Sequence, residues 1–149
     1  MIKDSIELRG DLNVVVRGAD GQIKDQRQLK NLIVNTGLNF ICSRMKDTTD
    51  GAMSHMGLGS GTTAAAAGDT DLGSILGARE GLDSTTVTDN TITYVASFEA
   101  GDATGAVTEA GLFNALTAGT MLCRTVFPVV NKGASDTMSV TWTITLSAS

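Results

Sequence analysis

Apolar and polar positions along this chain alternate far more often than they recur at helical spacing. Residues 12–17, LNVVVR, form a strong β run rich in β-branched side chains. ADGQ at 19–22 supplies an Asp-Gly turn. QIKDQRQLKNLIV then returns as a second strand or a pair of short strands. Asn35-Thr36-Gly37 breaks the pattern, and Asn35 or Thr36 can cap a helix N-terminus. In the following LNFICSRMK, Leu38, Ile41, Cys42 and Met45 fall on one helical stripe, which predicts a helix of about ten residues. DTTDGA at 47–52 reads as a loop. MSHMGLG at 53–59 reads as a short strand whose glycines permit close backbone approach. GLGSGTTAAAAGDTDLG at 57–73 is a long loop, and LGSILGARE at 72–80 is either a helical turn or an extended crossing.

The C-terminal half carries the clearest signal. STTVT and TITYVASFEA flank a hairpin turn at Asp89-Asn90. In the second run Ile92, Tyr94, Ala96 and Phe98 alternate with Thr91, Thr93, Val95 and Ser97. VTEAGLFNA and TMLCRTVF are two more strands, with LTAG between them. In TMSVTWTITLS, Met138, Val140, Trp142, Ile144 and Leu146 share one face, and Ser139, Thr141, Thr143, Thr145 and Ser147 the other. About seven or eight short strands with one helix predict an all-β fold, or a β-rich one with one short helix: an antiparallel β-sandwich, jelly-roll-like. A single domain over 1–149 is expected, with 1–10 as a candidate N-terminal arm.

Composition sharpens this. Charged residues are 18% of the chain, and Ser and Thr fill polar positions that Glu, Lys and Arg would occupy in a helical protein. The net charge of −5 is uneven: residues 1–46 carry +3 and the remainder −8. An acidic body excludes nonspecific nucleic-acid binding, which needs a basic surface. No stretch approaches the roughly 20 apolar residues of a membrane span. The opening MIKDSIELRG lacks the apolar centre of a signal peptide, which implies synthesis and assembly in the cytoplasm. Cys42 and Cys123 stand far apart, outside any CxxC motif, and read as buried free thiols, with a single disulfide as the alternative.

Candidate chemistry is sparse. Gly57, Gly59 and Gly61 miss the dinucleotide fingerprint because the third glycine comes one residue early, and no Lys follows as a phosphate loop requires. Asp69 and Asp71 would repel phosphate. Asp69, Asp71 and Asp83 lack EF-hand spacing and read as turn and cap residues. His55, the only histidine, has no nucleophile or carboxylate partner implied by position. Glu99 and Glu109 are the best carboxylate pair, and both read as solvated. Trp142 reads as core. Arg79 is either a solvated side chain or an ion-pair partner of a neighbouring chain. No enzymatic activity, cofactor or metal is expected, which points to a structural or binding protein.

"LKNLIVNTGLNFICSRM" resembles a segment of tailed-bacteriophage virion proteins, in which a strand leads through Thr-Gly into a short helix. "MGLGSGTTAAAAGDTDLG" resembles the Gly-x-Gly-x-Thr…Asp-Thr-x-Leu pattern that follows it. "VTEAGLFNA" and "DTMSVTWTITLS" resemble the paired ending of such proteins. The four blocks stand in the same order and cover residues 29–147. The resemblance extends to tail-fibre and baseplate-associated proteins and implies a virion structural component without catalytic residues. For a chain this short it implies a capsid decoration (cement) protein on the capsid exterior, with the major capsid protein and copies of itself, as dimer or trimer, for partners, and neither nucleic acid nor membrane. A tail-associated component, or a small carbohydrate- or host-binding module, is the alternative. The expected assembly contacts are Arg9 and Arg17 in the basic N-terminal segment, with Gly57, Gly59, Gly61, Asp69 and Arg79 along a loop expected to be mobile in the free protein. Asp69-Thr70 would tie down the end of that loop, and Gly111 would let its strand pack closely.

Overall fold

The N-terminal alternation extends further than LNVVVR. In the computed structural model, which describes residues 4–46 and 50–148, strand β1 spans Ile6–Arg17. It buries Leu12, Val14 and Val16 and turns Arg9, Asp11, Asn13 and Arg17 the other way. It pairs along its whole length with the C-terminal strand, from Ile6 opposite Ala148 to Arg17 opposite Thr137. Residues 6–10 therefore belong to a sheet and not to an N-terminal arm. Their backbone groups find partners that a free arm would leave to water.

After a turn in which Gly21 takes a φ of 80°, β2 (Ile23–Lys30) and β3 (Leu32–Ile33) form the expected pair of short strands. They go to different sheets, β2 to β1 and β3 to a strand of the second sheet. The remaining strands are β4 (His55–Gly59), β5 (Glu80–Gly81), β6 (Ser84–Thr88), β7 (Thr91–Phe98), β8 (Gly105–Phe113), β9 (Met121–Lys132) and β10 (Thr137–Ala148). One sheet has the order β2-β1-β10-β7-β6 and the other β3-β9-β8-β4-β5, with every pairing antiparallel. The fold is the β-rich, sandwich-like one that the periodicity predicts. Asp89 makes the β6–β7 turn at a φ of 51°, a left-handed conformation that Asp tolerates.

The inner faces of the two sheets share one core, built from Leu12, Val14, Phe98, Leu112, Phe127 and Trp142 among others. The second sheet differs from the first in being covered on its outer face as well. Residues 107–113 of β8 are buried without interruption. Val107, Ala110 and Leu112 join the main core, while Phe113 packs with Val34, Leu72 and Met121 in a smaller cluster. Among the described residues no helix is long and apolar enough to cross a membrane.

The helix, α1 (Asn35–Ser43), sits differently from the predicted stripe. Its buried residues are Gly37 and Phe40, whereas Leu38 is 42% exposed and Met45, just beyond it, 87%. Cys42 is an exposed free thiol, and only Cys123 is buried. Neither Asn35 nor Thr36 caps the helix. The N-cap is Val34, and the Thr36 hydroxyl instead donates to the Met121 carbonyl at 2.8 Å. The reason is contact with β9: a Cβ on Gly37 would fall on the Leu122 carbonyl oxygen, which is backbone and cannot yield. That approach sets the rotation of the helix, and stripe spacing alone does not contain it. Gly37→Ala is expected to cost about 1–3 kcal/mol by overpacking, read as a lower urea midpoint at unchanged slope. An unchanged midpoint would show that the helix is free to move away from β9.

Candidate functional site

The glycine-rich loop leaves β4 at Gly59, crosses the outer face of the second sheet, and returns beside the same strand. Ile75 bridges to Gly59, and the Leu76 amide donates to the Leu58 carbonyl. Residues 72–80 are thus an extended crossing and not a helical turn.

The loop does cradle an anion, and the anion belongs to the chain itself. Glu109 rises from β8 into the loop with no solvent exposure. Its Oε1 accepts the amides of Gly61 at 3.0 Å and Ser74 at 2.8 Å, and its Oε2 accepts the Gly73 amide at 2.9 Å. Arg124 from β9 donates to Oε2 through Nε at 3.1 Å and Nη2 at 2.8 Å. Arg124 also reaches the Asp69 carboxylate at 2.8 Å and the Thr63 carbonyl at 3.0 Å, so the buried cation meets two carboxylates. Glu109 opposes Gly59 in the β4–β8 ladder, and a Cβ on Gly59 or Gly61 would strike its carboxylate. Those glycines make room for an internal carboxylate.

The electrostatics follow from this geometry. Burial pushes the Glu109 carboxyl up, but hydrogen bonds from Ser74, Gly73, Arg124 and Gly61 outweigh it and hold the group below the ordinary glutamate range. Burial likewise works against the Arg124 charge, and its bonds to Glu109 and Asp69 raise its pKa on balance. Asp69 is held low first by the Ala66 amide, against desolvation, and then by Arg124.

A second anchor lies one step along the sheet. Gly57 and Gly111 face each other across β4 and β8, and the space above them is filled by Leu72, Phe113 and the stem of Arg79. The Arg79 guanidinium lies 3.5 Å from the Phe113 ring centroid. It donates to the Ala115 and Ala118 carbonyls at 2.9 and 2.8 Å and pairs with Asp71 at 3.3 Å. Arg79 is therefore neither solvated nor offered to another chain: it is 7% exposed and ties the 114–120 turn to the loop.

The seven expected contact residues fall into two groups. Gly57, Gly59, Gly61, Asp69 and Arg79 come together on the outer face of the second sheet, where Gly61, Asp69 and Arg79 bind internal partners and Gly57 and Gly59 leave them room. Arg9 and Arg17 lie on the outer face of the first sheet, on the opposite side of the sandwich. There Arg9 pairs with Asp11 at 2.9 Å and Arg17 donates to the Gly21 carbonyl at 3.1 Å. The loop expected to be mobile is instead tied to Glu109 through the amides of Gly61, Gly73 and Ser74, and to Arg124 through Asp69. Its exposed part is the tip, Thr62–Ala64 and Ala66–Gly68. Asp69 ties the end down as expected, while Thr70 is exposed.

The other candidates are dispersed. Asp69, Asp71 and Asp83 go to Arg124, Arg79 and the Ser97 hydroxyl respectively. Glu99 is exposed after β7 in the first sheet, while Glu109, read from sequence as solvated, is buried in the second. His55 Nδ1 shares a 2.8 Å hydrogen bond with the neighbouring Ser54 hydroxyl. Among the described residues no cluster of three His, Cys, Asp or Glu side chains is placed to hold a metal. Arg124, the centre of the anchor, carries no sequence signal beyond being a charge in an otherwise apolar strand run. The chain matches no protein-family model, no curated protein and no solved structure.

Proposed function

We propose that this chain is a non-enzymatic structural protein of a tailed-phage virion, acting as a capsid decoration unit that binds the major capsid protein and copies of itself. The observation that carries the reading is where the phage-like sequence blocks meet. The glycine-rich block supplies Gly61, Gly73 and Asp69, and the VTEAGLFNA block supplies Glu109. The block before the helix supplies β3, which pairs with β9 beside Arg124. Residues far apart in sequence thus build one internal brace, and the brace presents the 62–68 tip in a fixed shape. A preformed surface loop loses little conformational entropy on docking, which favours modest contacts repeated many times over a shell.

The test adds purified protein to shells that lack it and measures occupancy and resistance to heat. Wild-type protein is expected to bind shells and raise their melting temperature. Arg9→Glu with Arg17→Glu is expected to weaken attachment, and high salt is expected to loosen attachment of the wild-type protein, because both side chains are exposed on a basic segment. Protein that ignores shells and binds isolated tails would replace this reading with a tail-associated role.

A further inference from the structure

Beside α1 the core of the sandwich opens to solvent. A cleft of about 330 Å³ separates the helix from the inner face of the first sheet. That volume lies within the range of small-molecule sites, about 300–1,000 Å³. The walls are apolar: Phe40 and Ile41 from α1, Met53 before β4, and Ile92, Ile144 and Leu146 from β7 and β10. Ile41, Ile92 and Leu146 pack against the core and are only partly buried. An apolar occupant would take the rest of their surface out of water.

Tyr94 and Arg44 interrupt this lining. Tyr94 is 6% exposed, and its hydroxyl has no hydrogen-bond partner among the described residues, whereas a buried tyrosine ordinarily finds one. The oxygen is not sealed in as the Asn31 amide and the Trp142 N–H are, so it faces the cleft. Burial, and then Cys123, push the Tyr94 pKa up to about 12 against the pull of the Arg44 charge. The hydroxyl therefore keeps its proton at neutral pH and can donate it. Arg44 is exposed and marks the mouth. Its guanidinium is held 5.3 Å from the Phe40 ring centroid and donates through Nη1 to the Asp50 backbone carbonyl at 2.8 Å. Among the described residues no carboxylate pairs with it and no acid lines the cleft, so its other donors are open to a ligand.

We infer that this cleft binds a small apolar carboxylate, of the size of a medium-chain fatty acid, with its tail among Ile92, Ile144 and Leu146 and its carboxylate on Arg44 and the Tyr94 hydroxyl. The chemistry of the lining selects the ligand. Apolar walls take an apolar body. A cation and a neutral donor take an anionic head, and the guanidinium fork matches a planar carboxylate. A cationic amphiphile would set its charge against Arg44, and a neutral one would forgo the charge-assisted bonds. None of the lining residues belongs to the 62–68 tip or is Arg9 or Arg17, so the site does not rest on attachment to shells.

Three probes share a tail and differ in head charge: octanoate, octanol and octylammonium. Calorimetry and amide NMR of the full chain compare them. Octanoate is expected to bind with a Kd below about 1 mM, octanol about tenfold more weakly, and octylammonium more weakly still. Arg44→Gln should weaken octanoate about tenfold, to the level of octanol, and leave octanol unchanged. Tyr94→Phe should weaken octanoate by less, about threefold. Ala52→Phe adds a ring to the cleft from an exposed position and should abolish binding of octanoate and octanol with the melting temperature unchanged. Shifts on adding octanoate should concentrate at residues 40–44, 52–53 and 92–94. Octanoate with a Kd above about 1 mM, binding no tighter than that of octanol or octylammonium, or binding that survives Arg44→Gln or Ala52→Phe undiminished, overturns the inference. Failure to bind shells with octanoate binding intact would overturn only the virion reading.

Discussion

Glu109→Ala is expected to destabilise the free protein by about 3–5 kcal/mol, because it leaves Arg124 buried beside an empty place. The side chain removed is fully buried, and its loss orphans the amides of Gly61, Gly73 and Ser74 together with two Arg124 donors. Asp69 still faces Arg124, so part of the cation's charge remains compensated. Amide exchange at Gly61, Gly73 and Ser74 should rise well ahead of exchange in β10. That pattern separates a released loop from general unfolding. Wild-type pH dependence follows the same group. Its folded pKa is depressed, so its contribution is present above the unfolded glutamate value of about 4.3 and is lost as pH falls through the folded value. Glu109→Ala should flatten stability against pH across that acidic range. A variant that melts like wild type, with the same acid limb, would show that the loop is held by something else.

Trp142→Ala is expected to cost a similar amount, about 3–5 kcal/mol, by a different mechanism. The ring is fully buried at the centre of β10, opposite Leu12 on one side and Tyr94 on the other. Removing it leaves a void between strands that are paired on both edges and collapse poorly. Among the described residues its indole N–H has no hydrogen-bond partner, so the site rewards volume more than the polar group. Trp142→Phe should accordingly recover most of the loss. Chemical denaturation of both variants checks this. Near-wild-type stability for Trp142→Ala would mean that the ring does not fill the core, and a Phe variant as unstable as Ala would mean that the N–H has a partner.

Strands were the legible part of this fold because their signal is local. A period of two over 91–98 and 137–146 says which side chains share a face, and a buried face needs no information from elsewhere in the chain. The Asp89-Asn90 turn is local in the same way, since its geometry depends on the residues that form it. The sandwich-like architecture followed from those runs, because one-sided apolar strands have to bury that side against another layer.

What covers the outer face of the second sheet is not local, and there the sequence misleads. Glu109 stands among Val107, Thr108, Ala110 and Gly111 with nothing to distinguish a buried anion from a solvated strand acid. Its partners lie at least 15 residues away, at Arg124, and 48 away, at Gly61. Arg79 is hidden for the same reason: the ring and carbonyls that hold it belong to β8 and the turn after it. The glycines at 57, 59, 61 and 111 report only that something approaches the backbone closely. By itself the sequence determined where the strands run and which faces they bury, because alternation is a property of neighbouring residues. Only the tertiary structure decided that the glycine-rich loop closes over a carboxylate of its own chain, because a buried charge is tolerated only when donors from distant segments converge on it.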